Sequence, residues 1–259
     1  MRTMTDDWKR LCDHIRSTGG AAVSFSGGVD STVVLAAAVA ALPGDHIAVF
    51  ADIPMISERQ RRIAKSVAEE LGARFVSVKI SWDDMPGIRS NGNDRCYICK
   101  KAIYSAVKRI ASDNSFKICV DGENSSDRDD ERPGRKAAAE LGIVSPLKEL
   151  GIGRSSVRRM FEDLCIRTDV QKETCMATRL PQGSPFDEKD IRHVEECEDI
   201  IRSISGVRQI RMRLRNGDAE LLTSPGETFK LIRNEKKLSS ALSQKGISSI
   251  YVNEKGYEE

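Results

Sequence analysis

Val23-Ser24-Phe25-Ser26-Gly27-Gly28-Val29-Asp30-Ser31 joins a short apolar run, residues 21–25, to an Ala- and Val-rich segment, residues 32–42. The run reads as a buried strand and the segment as a helix. Ser26 to Ser31 must then turn the chain and open that helix. Two consecutive glycines permit backbone angles that other residues resist, and they leave no side chain in a ligand's way. The first-turn N–H groups of the helix face whatever lies above the turn, where the helix dipole favours an anion. Ser26 and Ser31 add hydroxyl donors, and Asp30 is placed to hold Mg2+ against phosphate oxygens. The stretch predicts a phosphate cradle near the start of an α/β domain.

No lysine follows the glycines, so this is not the Walker A loop, whose Gly-Lys-Ser/Thr ending reaches the terminal phosphates. The wider composition sets bounds. A chain of 259 residues suits one large domain or a domain with an appendage. Its 41 basic and 39 acidic residues leave a net charge of +2, so no global field selects nucleic acid or membrane. The first residues lack a signal peptide's apolar core, and the longest apolar run, residues 33–42, is far short of a membrane span. A cytoplasmic protein with mostly reduced thiols is expected. The three histidines, His14, His46 and His193, are not paired at ligand spacing. That argues against His-based zinc catalysis and a Ser-His-Asp triad.

From the loop outward, strands and helices alternate. Residues 47–51 read as a second buried strand with Asp52 at its end, where ligands of open α/β sheets bind, so Asp52 is a candidate ATP contact. Ser57 caps a helix that runs to Leu71 and stops at Gly72. Residues 74–80 and 116–120 read as further strands, the second leading into Asp121-Gly122-Glu123-Asn124. Shorter helices follow over residues 136–141 and, capped by Ser155, to about Leu164, with a short run at 143–147 between them. The alternation predicts a doubly wound, mainly parallel α/β sheet. Around Pro181-Gln182-Gly183 the pattern changes to a small α+β unit. It comprises a helix over 187–203, strands around an Asn216-Gly217 turn, a helix opened by Pro225 running to about Ser243, and a last strand at 247–252. The expected division is 1–183 and 184–259.

Cysteine chemistry is concentrated at two places. Cys96-x-x-Cys99 opens a helix, and the helix terminus together with Arg95, Lys100 and Lys101 favours thiolate. Alone the pair fits zinc, an iron–sulfur cluster or a redox role. Cys175 lies outside any apolar periodicity, with Lys172 and Arg179 flanking it, which favours function over packing. Cys119, in an apolar strand, reads as core.

These segments together are similar to the LarE family of ATP-dependent sulfur transferases, within the PP-loop ATP pyrophosphatase superfamily. The matches are SGGVDS at 26–31, Ala51-Asp52-x-Pro54, NDRCYICK at 93–100 and DG-x-N at 121–124. They continue with the Asp127 to Ala137 stretch containing Arg132-Pro133-Gly134, with Ser145-Pro146-Leu147, and with Cys175-x-Ala177-Thr178-Arg179. The resemblance implies that the first domain binds ATP and Mg2+, adenylates a carboxylate of a pyridinium mononucleotide, and releases pyrophosphate before sulfur is inserted. It places Ser26, Gly27, Gly28, Asp30, Ser31, Asp52, Asp121, Asn124, Arg132 and Arg179 about the nucleotide, and Arg211 and Arg213 near a phosphate site. Cys175 and Asp30 are its catalytic residues. The family supplies sulfur either from a single sacrificed cysteine or from a [4Fe-4S] cluster on three cysteines. Cys96, Cys99 and Cys175 make the three-cysteine set, and the cluster is the expected version. Higher oligomers occur in such proteins, so a homo-oligomer is expected. The chain departs from the family pattern at Thr178, where others carry Ser, and at Glu220, two places from the expected Glu. A tRNA thiolase, an ammonia-using synthetase and a non-enzymatic nucleotide sensor remain rival readings. The near-neutral charge and 5% aromatic content speak against nucleic acid as a partner.

Overall fold

The computed structural model of the chain describes residues 5–127, 133–171 and 173–256. The chain divides into two compact units, Met1–Ile88 with Asp94–Glu173, and Arg89–Asn93 with Thr174–Glu259. No helix among the described residues is long and apolar enough to cross a membrane.

The first unit runs α1 (Asp6–Arg16), β1 (Ala21–Ser24), α2 (Val29–Ala41), β2 (His46–Asp52), α3 (Glu58–Glu70), β3 (Phe75–Lys79), α4 (Arg95–Asp113), β4 (Ile118–Val120), α5 (Pro133–Leu141), α6 (Pro146–Glu149) and α7 (Arg154–Asp163). Its strands form one all-parallel sheet in the order β3-β2-β1-β4. Ala21, Ala22 and Val23 of the interior strand β1 are fully buried, as a parallel strand covered on both faces requires. The small Ala and Val side chains of α2 are buried almost all round and pack with α1, α3 and α7 in the main core. On β1 and β2 lies α4, which meets α5 in a second cluster around Tyr104. This is the expected doubly wound α/β arrangement.

Some local expectations need correction. The helix after the phosphate turn begins at Val29, inside the motif, because Thr32 N–H already bonds Gly28 O at 2.9 Å. Ser155 is not the cap of α7. Gly153 occupies that position, and Ser126 Oγ accepts from Arg154 N–H at 2.9 Å, so the cap comes from a distant loop. The run at 143–147 contributes only one bridge, Val144 beside Val120, before Pro146 starts α6.

The second unit has α8 (Glu188–Ser205), β5 (Arg211–Arg215), β6 (Asp218–Leu222), α9 (Thr228–Arg233), α10 (Glu235–Ser243) and β7 (Ser249–Val252), with sheet order β5-β6-β7. Asn216 and Gly217, with φ of 51° and 88°, make the hairpin turn between β5 and β6. The single helix expected after Pro225 is broken: Asn234 Nδ2 donates to Lys230 O at 2.9 Å, competing with the helical backbone between α9 and α10. The division also differs from the expected 183/184 boundary. Thr174–Gly183 belongs with the second unit, and so does Arg89–Asn93. Asn91 Nδ2 donates to Pro181 O at 2.8 Å, Gly183 N–H to Asn91 O at 2.9 Å, and Phe186 N–H to Arg89 O at 2.9 Å. Those bonds tie the short segment to the residues after Cys175.

Candidate active site

A cavity of about 310 Å3 opens over the C-terminal ends of β1, β2 and β4. The order β3-β2-β1-β4 places β2 and β4 on either side of β1, so the cavity lies where chain progression reverses, the usual ligand position in such sheets. The turn from Ser26 to Ser31 forms one side. Gly27 has φ +76°, and a Cβ there would stand 2.7 Å from Ala64 Cα, so the loop lies directly on the backbone of α3. Gly28 needs no unusual angle; it is the N-cap of α2 and carries no side chain that could cap the first turn. Only Gly27 therefore needs glycine's conformational freedom, while Gly28 keeps the approach open. Ser26 and Ser31 hydroxyls lie 3.0 Å apart, and Ser31 Oγ donates to Gly28 O at 3.1 Å. The helix N-terminus is thus shaped to receive an anion.

Across the turn, the segment after β4 packs backbone to backbone. A Cβ on Gly122 would stand 2.7 Å from Ser31 N. That closeness lets Asn124 Nδ2 donate to Asp30 Oδ1 at 2.8 Å. Burial, reinforced by the nearby Asp127 charge, raises the Asp30 pKa above the ordinary carboxylate value, against the lowering effect of the Asn124 bond. A half-buried, oriented carboxylate at a phosphate-binding terminus fits Mg2+. Phe50, Ala51 and Ile56 give the cavity an apolar wall suited to a purine face.

Other expected ligand residues have different surroundings. Asp121 lines the cavity, but its carboxylate accepts Tyr104 Oη at 2.5 Å, Ser145 Oγ at 2.8 Å and Glu123 N–H at 3.1 Å, and so braces the cavity wall. Asp52 ends β2 as expected, but it is not among the lining residues and pairs with Arg61 Nε at 2.7 Å. Arg132 lies outside the described residues. Lys100, Tyr104 and Arg135 also line the cavity, outside the residues expected about the nucleotide. Tyr104 falls one turn after Lys100 on α4, a spacing that could have flagged it, and Lys100 Nζ stands 4.9 Å from its ring centroid.

None of the seven cysteines is in a disulfide. Cys12, Cys119 and Cys197 are buried, and burial pushes their thiols up, Cys197 to about 11. That suits inert packing. Cys96 and Cys99 lie near the start of α4, the first exposed and the second half-buried. Cys175, half-buried in the second unit, caps a 3-10 turn, Met176–Arg179. Its carbonyl accepts Thr178 Oγ1 at 2.7 Å and Thr178 N–H at 3.0 Å. A serine at this position would supply the same hydroxyl. Arg179, expected about the nucleotide, is 1% exposed and paired with Glu198. Arg211 and Arg213 lie on β5, opposite Leu222 and Glu220 of β6, and Arg213 Nη1 is 3.8 Å from Glu220. Among the described residues, no three His, Cys, Asp or Glu side chains are gathered as around a metal ion.

The NAD synthase family model matches residues 8–86, which hold the phosphate loop and the strands beside it. Pyridinium-3,5-bisthiocarboxylic acid mononucleotide synthase of Lactiplantibacillus plantarum is 31% identical over 85% of this chain and 80% of its own length. The chain belongs to the LarE family. Uncharacterized proteins of Synechocystis sp. and Methanocaldococcus jannaschii are also similar, 28% and 25% identical over 83% and 89% of this chain and 80% and 88% of their own lengths. The LarE match extends well beyond the phosphate loop. It spans 85% of the chain, whereas the NAD synthase model stops at residue 86.

Proposed function

We propose that the chain adenylates a carboxylate of pyridinium-3,5-biscarboxylic acid mononucleotide with ATP and inserts sulfur to give a thiocarboxylate. The observation that carries this reading is the half-buried Asp30 carboxylate, held by Asn124 at the open N-terminus of α2, facing an apolar wall across one cavity. Mg2+ on Asp30 would offset charge on the phosphates, and the helix N–H groups would hold the pyrophosphate that leaves. A substrate carboxylate oxygen attacks the α-phosphorus, and the bond from that phosphorus to the bridging oxygen breaks. Sulfur then attacks the acyl carbon, and its bond to the adenylate oxygen breaks, releasing AMP. Attack is directed by developing negative charge on pyrophosphate being stabilised where it forms.

For the sulfur source, the reading keeps Cys96, Cys99 and Cys175. Three thiols are the right donor type for a [4Fe-4S] cluster with one open iron. Cys96 and Cys99, spaced i,i+3 on α4, supply two adjacent donors, whereas Cys175 belongs to the other unit. A cluster there would supply an exchangeable sulfide. Arg211 and Arg213 are the proposed contacts for the substrate phosphate, and Asp52, with Arg61, the edge of the nucleoside site.

The test is incubation with ATP, Mg2+ and the dicarboxylate mononucleotide, following pyrophosphate, AMP and thiocarboxylate together. Stoichiometric pyrophosphate and thiocarboxylate support the reading, and pyrophosphate without any sulfur product overturns the sulfur step. Anaerobic protein should carry iron and acid-labile sulfide that Cys96→Ser removes. Iron-free protein that makes one thiocarboxylate per chain would instead assign the sulfur to Cys175 itself.

A further inference from the structure

Three consecutive residues on the first turn of α3 hold three separate segments. Successive side chains on a helix point about 100° apart, so neighbours in sequence reach in different directions. Gln60 Nε2 donates to Ser26 O, the first carbonyl of the phosphate loop. Arg61 Nε bonds Asp52 Oδ1 at 2.7 Å, at the end of β2. Arg59 Nη1 bonds Glu173 Oε1 at 2.9 Å, with Asp169 Oδ2 at 3.7 Å from Nη2. Glu173 is the last residue of the first unit and stands two residues before Cys175.

The far end of α3 grips the same stretch of chain. Glu70 accepts Arg167 N–H at 2.8 Å and Thr168 N–H at 2.9 Å. The approach to Cys175 is therefore pinned at both ends of one helix, and that helix also carries Ala64, which Gly27 touches. Ser57 Oγ caps the helix through Gln60 N–H at 3.1 Å, so the first turn is a fixed unit. Gln60 Oε1 is buried with no hydrogen-bond partner. A half-satisfied buried amide costs stability, so Gln60 makes the Ser26 contact at a cost to the fold.

We propose that α3 is the positioning element between nucleotide in the phosphate loop and the Cys175 segment, with Gln60 and Arg59 as its positioning residues. This rests on the proposed function, which puts ATP in the loop and sulfur at Cys175. Occupying the loop fixes the Ser26 carbonyl; Gln60 passes that to the helix, and Arg59 fixes where the chain leaves toward Cys175. Sulfur donation is then timed to the presence of nucleotide.

Hydrogen–deuterium exchange of the full chain with Mg2+ and α,β-methylene-ATP tests this without turnover. Exchange should slow about threefold or more at both 26–31 and 174–179. In Arg59→Gln the protection at 26–31 should remain and that at 174–179 should vanish, while Arg59→Lys restores part of it. Gln60→Met, which removes the unpaired amide oxygen, should uncouple the two segments in the same way. In Arg59→Gln, pyrophosphate release should hold within about twofold while thiocarboxylate formation falls about tenfold, a split that general loss of structure does not produce. Protection at 26–31 alone in the unmodified chain, or an unchanged response at 174–179 in both variants, overturns the proposal and leaves the function standing. No protection at 26–31 overturns both.

Discussion

Arg179 and Glu198 form an ion pair 2.9 Å long inside the second unit, their side chains 0% and 1% exposed. Glu198 also accepts Met212 N–H at 3.0 Å and Arg202 Nη2 at 3.2 Å. The other arm of Arg179 reaches Thr174 O and Thr178 Oγ1, each at 3.1 Å. One buried carboxylate therefore joins the Cys175 turn to α8 and β5.

Removing one partner of such a pair strands a buried charge. Glu198→Ala is expected to destabilise the second unit by about 3–5 kcal/mol, read as a lowered melting temperature. Glu198→Gln keeps the shape and one acceptor and should cost less. A Glu198→Ala variant as stable as the unmodified chain would show that the pair does not hold the turn.

The parallel sheet and the phosphate loop were legible because their signals are local. Residues 21–25 and 47–51 are continuous apolar runs, and SGGVDS is a contiguous turn. What the sequence hid depends on contacts between distant segments. Arg179 reads as a ligand residue in C-x-A-T-R because nothing nearby announces Glu198, 19 positions on. Ser155 reads as a cap because the real acceptor, Ser126 Oγ, lies 28 residues before Arg154. Asn91 pairs with Pro181 across 90 residues, so the unit boundary could not be placed from composition alone.

The two loop glycines should separate on substitution. Gly27→Ala forces a Cβ to 2.7 Å from Ala64 Cα at φ +76°. The left-handed backbone costs about 1–2 kcal/mol, and crowding adds about 1–3 kcal/mol, so denaturant unfolding should show a clear loss. Gly28→Ala meets only Ser26 Oγ at 3.5 Å and should leave the fold within about 0.5 kcal/mol. Its methyl group lies in the cavity, so ATP binding measured by calorimetry should weaken. Equal stability losses in both variants would contradict the different tasks assigned to them.

Tyr104 donates to Asp121 at 2.5 Å, and burial, followed by the Asp121 charge, holds the phenol protonated far above its usual range. Tyr104→Phe leaves the Asp121 carboxylate, 4% exposed, with Ser145 and the Glu123 N–H as its donors. Loss of a hydrogen bond to a charged group predicts a cost of about 1.5–3 kcal/mol, measured by urea unfolding. An unchanged midpoint would mean that Asp121 is satisfied without the phenol.

Asp30 binds its proton more tightly in the folded protein than in the unfolded chain, because burial and the Asp127 charge raise its pKa. The sign follows directly: the folded state holds more protons, so stability falls as pH rises from the ordinary carboxylate value through the raised one, and the full penalty is present at neutral pH. Asp30→Asn removes that charge and keeps the side chain's shape. The ligand-free variant, in EDTA, should therefore be more stable at neutral pH by roughly 0.5–2 kcal/mol, the usual gain when a functional site is relaxed. The gain should shrink on acidification, as the native carboxyl takes up its proton. The same variant loses the proposed Mg2+ ligand, and pyrophosphate release should fall by about 100-fold or more. A variant less stable at neutral pH would show that the Asn124 bond outweighs the burial of the charge. Retained Mg2+-dependent release would remove Asp30 from the metal site.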